Sequence, residues 1–162
     1  MQQKEQIITW LKDAHAMEQS MTSVLQQHSR EVRDQPAIRN RLEQHLEETR
    51  RHAEAMRTCL ESLGETPSMV KSWAGGAMGL MEGRSTAMFR DKLVKNIVAD
   101  YAMEHFEMAC YSALASVAEE VGLVEIARVC REIFGEEAEM ADWLEEHVPD
   151  VARAHVHATA GS

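Results

Sequence analysis

The run YAMEHFEMACY, residues 101–111, puts Glu104 and Glu107 one helical turn apart among Met, Phe, Cys and Tyr. Thirty residues after Glu107 comes Glu137, inside FGEEAEMADW, residues 134–143. The first half of the chain repeats the spacing: Glu18 lies in AHAMEQSM, residues 14–21, and Glu48, thirty later, in EQHLEETRRH, residues 43–52. The midpoint of the first pair is Arg33, just before Asp34-Gln35-Pro36, and the midpoint of the second is Gly122. If each midpoint is the tip of a helical hairpin, the two acids of a pair stand at equal height on neighbouring helices. Two such hairpins bring Glu18, Glu48, Glu107 and Glu137 to one level of a four-helix bundle, the arrangement that holds two metal ions in carboxylate-bridged bundles.

The surrounding periodicity supports four long helices. Over residues 4–33, Ile7, Leu11, Ala14, Glu18, Met21 and Leu25 recur at helical spacing, so Glu18 sits mid-stripe with apolar residues on both sides. Pro36 opens a second helix, 36–63, at the first-turn position proline tolerates. Its face carries Ile38, Leu42, His45, Thr49, His52, Met56 and Leu60, with Glu48 on the border, and Gly64 ends it. The third helix is predicted over 86–121, capped by Ser85-Thr86. Leu93, Ile97, Tyr101, Glu104, Met108 and Tyr111 share its face, with His105 and Glu107 on the two borders. The fourth, 124–147, has Ile126, Val129, Cys130, Ile133, Glu137, Met140 and Leu144 in its stripe, and Pro149 is expected to stop it. Gly135 lies inside that helix, either making room near Glu136 and Glu137 or relieving packing.

Residues 65–85 form a connection with its own short helix, 67–82, rich in Gly and Met. A segment of that length can cross the bundle, which gives the single long crossover of ferritin-like folds. The fold class is therefore all-α, a ferritin-like four-helix bundle with a crossover helix between its second and third helices. Residues 1–150 read as one domain and 151–162 as a flexible tail, with His155 and His157 solvated.

Composition narrows the function classes. The 162 residues carry a net charge of −10, which disfavours a nucleic-acid scaffold and suits cations. No stretch approaches the roughly 20 apolar residues of a membrane span, and the N-terminus lacks a signal-peptide core. Cys59, Cys110 and Cys130 are odd in number, widely spaced and set in helical patterns, so they read as reduced, packed thiols of a cytoplasmic protein.

Buried carboxylates that converge must be neutralised by protons or cations. Two divalent ions carry four positive charges, matching Glu18, Glu48, Glu107 and Glu137. Carboxylate oxygens with one or two imidazoles suit iron or manganese, with zinc as an impostor. His45 lies three residues before Glu48 and His52 four after it, and either could ligate. The idealised Glu-x-x-His motif is absent: Arg51 follows Glu48 by three and Met140 follows Glu137 by three.

LEQHLEETRRH (42–52), AMEHFEMACYSAL (102–114) and EEAEMADWLEE (136–146) together resemble the YciF-type (YciE/YciF) ferritin-like bacterial stress-protein family, related to rubrerythrin. The resemblance covers roughly residues 5–147. It implies a homodimeric bundle with a di-metal centre, and adds Glu104 to Glu18, Glu48, Glu107 and Glu137 as ligands through the E-x-x-E of the third helix. It does not extend to rubrerythrin's four-cysteine iron domain. Three functions follow: a di-metal oxidase or peroxide-consuming stress protein, a structural or dimerisation module with or without metal, and a di-iron hydroxylase of an organic substrate.

Overall fold

The computed structural model describes residues 2–32, 34–67 and 92–160. They form four α-helices: α1 (Gln2–Glu31), α2 (Pro36–Ser62), α3 (Lys92–Glu120) and α4 (Val124–Ala160). None of these helices is long and apolar enough to cross a membrane.

Local chemistry sets the hairpin tips. Pro36 begins α2 after Gln35, at the end where its missing N–H costs no helical bond. α2 and α3 each end on a glycine in the left-handed region, Gly64 at φ +79° and Gly122 at φ +82°. After α2, Gly64 N–H bonds Glu61 O and Glu65 N–H bonds Leu60 O, both at 3.0 Å. After α3, Gly122 N–H bonds Glu119 O at 3.0 Å and Leu123 N–H bonds Ala118 O at 2.8 Å. Both are Schellman motifs, which satisfy the last helical carbonyls and require the positive φ that glycine adopts without strain.

α1 pairs with α2 and α3 with α4, and the hairpins meet along α1–α3 and α2–α4. Tyr111 reaches Glu18, Asp100 reaches His28, and Asn96 reaches Glu31, so α3 runs antiparallel to α1. α2 is also antiparallel to α1, so α2 and α3 are parallel. Their connection leaves beside Lys12, which pairs with Glu65 at 2.7 Å, and returns beside Glu31, which pairs with Lys92 at 2.6 Å. Those two α1 positions are roughly 28 Å apart at about 1.5 Å per residue, so the link spans the bundle's length. This is the long crossover of the ferritin-like fold. The short helix expected at 67–82, and the cap expected at Ser85-Thr86, lie outside the described residues.

The core is built from Ile7, Leu11, Met21 and Leu25 of α1, Leu42, Met56 and Leu60 of α2, Ile97 and Leu114 of α3, and Met140 and Leu144 of α4. Two local expectations need correction. α4 does not stop at Pro149 but continues to Ala160. The proline is exposed, so the carbonyl it leaves unbonded meets water, while Val151 is buried and anchors the next turn to the core. At Gly135 an added Cβ would meet nothing within 4 Å, so neither the neighbouring acids nor the packing requires a glycine there.

Candidate metal centre

All four helices contribute to one buried polar group near mid-bundle. α1 supplies Glu18, α2 supplies His45, Glu48 and His52, α3 supplies Glu104, Glu107 and Tyr111, and α4 supplies Glu137. Glu18, Glu104 and Glu137 are fully buried, and Glu107 and His45 are 1% exposed. On α2, His45 and His52 are seven residues apart, so they share a face about two turns, or roughly 10 Å, apart along the axis.

Glu137 is the centre of the arrangement. Its Oε1 lies 2.8 Å from His52 Nδ1, which is itself 3.8 Å from Glu18 Oε2. Its Oε2 lies 3.4 Å from His45 Nε2, which is 3.2 Å from Glu104 Oε1. Two clusters result, Glu18–His52–Glu137 and His45–Glu104–Glu137, and in each the donor atoms lie within 4.8 Å of one another. They share Glu137, which turns one oxygen to each.

Among the described residues, the fully buried side-chain N and O atoms that lack a hydrogen bond all belong to this group. They are Glu18 Oε2, His45 Nε2, His52 Nδ1, Glu107 Oε1 and both oxygens of Glu104 and of Glu137. The imidazole–carboxylate approaches given above are close but make no directed hydrogen bond. An unpartnered buried polar atom costs about 1–3 kcal/mol, so such a concentration is expected where a cation would complete the bonding. Oxygen and imidazole donors with no thiolate fit iron or manganese.

The electrostatics agree. Burial and the neighbouring Glu137 charge push Glu18 up from 4.5 to about 8, against opposing pulls from His52, Tyr111 and His45. Burial, then Glu137 and other acids, hold Glu104 and Glu107 well above the ordinary carboxylate range. Glu137 goes down, because His52, His45 and Glu104 together outweigh its burial. For His52, burial is outweighed by Glu137, Glu18 and Glu136, and its value rises to about 9. Without a cation the group therefore takes up protons, and divalent ions would displace them.

Of the residues singled out in the sequence, the structure brings Glu18, Glu104, Glu107, Glu137, His45 and His52 together. Glu48 stands outside both clusters. Its carboxylate accepts from Arg41 at 3.1 Å and Gln44 at 2.9 Å, and lies 2.9 Å from His45 Nδ1. The His45 hydrogen bond, opposed by partial burial and helped by Arg41 and Gln44, takes Glu48 down to about 2. The Arg41 guanidinium balances that charge, and the fully or almost fully buried carboxylates left in the group are Glu18, Glu104, Glu107 and Glu137. Glu107 is not a border residue but wholly buried, while the other border residue, His105, is exposed. Two further polar groups of α3 are buried beside these residues. Tyr111, also wholly buried, donates its hydroxyl to Glu18 Oε1. Asp100, one turn before Glu104, is fully buried and lies 2.8 Å from His28 Nδ1. Their signal was register: 100, 104, 107 and 111 follow one another by four, three and four.

The family described as "Domain of unknown function (DUF892)" matches residues 2–157. The chain belongs to the DUF892 family. Protein YciF of Escherichia coli (strain K12) is 30% identical over 135 residues, covering 78% of each chain. The crystal structure of the E. coli stress protein YciF superposes with TM-score 0.76, at 24% identity over 93% of this chain and 97% of that one. A crystal structure of a protein from Xanthomonas campestris pv. campestris gives TM-score 0.85 and 31% identity, with 99% of each chain covered. The bacterioferritin of Desulfovibrio desulfuricans, a diiron protein, matches with TM-score 0.73 and 22% identity, over 99% of this DUF892 chain and 90% of its own. That last likeness speaks for the bundle alone. This DUF892 member is thus a ferritin-like bundle with two candidate metal clusters, similar in sequence to Protein YciF.

Proposed function

We propose that this protein holds two iron ions, one beside each oxygen of Glu137, and consumes peroxide in a stress response. The supporting observation is the pair of clusters on Glu137, surrounded by buried donor atoms that have no other partner. Manganese fits the same donors, and zinc would occupy them in a sample starved of both. Glu18 and His52 face one position, His45 and Glu104 the other. Glu107, which feels the charges of Glu137, Glu18 and Glu104, is the second candidate for a shared ligand.

A bound ferrous pair would supply the two electrons that, with two protons, reduce hydrogen peroxide to two waters. The protein's part is to hold and shield. Tyr111 fixes Glu18 Oε1 and so turns Oε2 toward His52. Burial of Glu18, Glu104, Glu107 and Glu137 keeps bulk water away and strengthens each electrostatic contact. The free thiols of Cys59, Cys110 and Cys130 suit the reducing cytoplasm in which we place the protein, as a homodimer.

The test is anaerobic loading with ferrous iron, followed by rapid mixing with hydrogen peroxide or dioxygen. Oxidation much faster with peroxide is the expected result. Equal, slow oxidation by both, matching free iron, would leave a structural module in place of an enzyme.

A further inference from the structure

Each imidazole of the site is held from behind by a carboxylate, and each carboxylate by an arginine. Behind His45, Nδ1 lies 2.9 Å from Glu48 Oε2, and Arg41 donates to that oxygen at 3.1 Å. Behind His52, Nε2 lies 2.8 Å from Glu136 Oε2, and Arg51 donates to that oxygen at 3.3 Å. The two rings are used in opposite senses. His45 turns Nδ1 outward and Nε2 toward Glu104 and Glu137, whereas His52 turns Nε2 outward and Nδ1 toward Glu18 and Glu137. A neutral imidazole carries one N–H and one lone pair, so an outward N–H on a carboxylate leaves the lone pair facing inward.

The two supports differ in exposure. The Arg41 and Glu48 side chains are 14% and 12% exposed, and those of Arg51 and Glu136 are 62% and 42%. Water competes for the outer pair far more than for the inner one, so His52 is held less firmly than His45.

We propose that Glu136, aided by Arg51, is the positioning residue for His52, and that its exposure makes the metal position beside His52 the weaker and more exchangeable of the two. This rests on the di-metal reading above. Glu136 belongs to neither cluster and touches His52 only at its outward nitrogen. It acts by fixing the ring so that the Nδ1 lone pair faces the metal position beside Glu18 and Glu137.

Zinc is a suitable probe because it is diamagnetic and needs no redox step. Calorimetric titration of the metal-free full chain should show two zinc ions bound with unequal affinity. Glu136→Ala should weaken the looser ion by about 10- to 100-fold and spare the tighter one. Glu136→Gln, whose amide carbonyl still accepts from Nε2–H, should restore most of that loss. Nitrogen-15 spectra of the zinc-loaded parent should show His52 bound through Nδ1 and protonated at Nε2. Unchanged binding of both ions by Glu136→Ala, equal weakening of both, or coordination of His52 through Nε2 would overturn the proposal while leaving the di-metal reading intact. A parent that binds no zinc would remove both.

Discussion

Replacing Glu18 with Gln should change the protein in opposite directions with and without metal. Glu18 is fully buried and sits at about 8 in place of 4.5, through burial first and the Glu137 charge second. Between those values the unfolded chain has released this proton and the folded chain still holds it. Stability then falls as pH rises, by about 1.4 kcal/mol per pH unit. From pH 6 to 8 the Glu18 share is roughly 2–3 kcal/mol. Gln cannot ionise, and its carbonyl still accepts from Tyr111. In chelator, Glu18→Gln should therefore be more stable than the parent at pH 8, with an advantage over the parent about 1–3 kcal/mol larger there than at pH 6. With manganese added the order should reverse, because the parent gains binding energy that the variant loses. Urea midpoints at the two pH values, with chelator and with manganese, measure all four states. A metal-free variant less stable than the parent at pH 8, or a gap that does not change with pH, would show that Glu18 does not carry a raised, unneutralised carboxyl in the metal-free fold.

Gly135→Ala should raise stability by about 0.5–1 kcal/mol, since helix propensity improves and the new methyl meets no neighbour; thermal melting at neutral pH is sufficient. His28→Ala should destabilise by about 3–5 kcal/mol at pH 5.5, because it strands the buried Asp100 carboxylate. Asp100 outweighs burial and raises His28, so the pair's contribution is fully present below about 6.5 and is lost as pH climbs through the raised value; the urea-midpoint difference should shrink by pH 9. Light scattering should give about twice the 18.3 kDa chain mass, and a large closed shell would revive iron storage.

The hairpin tips and three of the acids were legible because their signals are local or axial. Pro36, Gly64 and Gly122 act through their own backbone, and a thirty-residue spacing on antiparallel helices fixes height. Height is not direction around the helix. Glu48 follows His45 by three residues, which turns it about 60° off the line joining His45 to His52. That turn carries it out of the clusters and onto Arg41. On α3 the predicted face holds at Ile97, Glu104 and Tyr111 but misses Asp100 and Glu107, because polar groups take core positions there. Asp100, Glu104 and Glu107 are fully or almost fully buried, while Leu93, Tyr101 and Met108 are only half-buried. Hydrophobic patterning locates a core, and it fails where a site replaces the core. The Pro149 stop failed for a tertiary reason, since burial of Val151 holds the helix beyond it.

On the proposed reading, Glu137 divides two metal positions. Anomalous diffraction from iron-loaded crystals, collected on both sides of the iron edge, tests it most directly. Two peaks about 4 Å apart are expected, one beside Glu18 and His52 and the other beside His45 and Glu104, each next to its own oxygen of Glu137. A single peak, or iron bound away from Glu137, would contradict that reading.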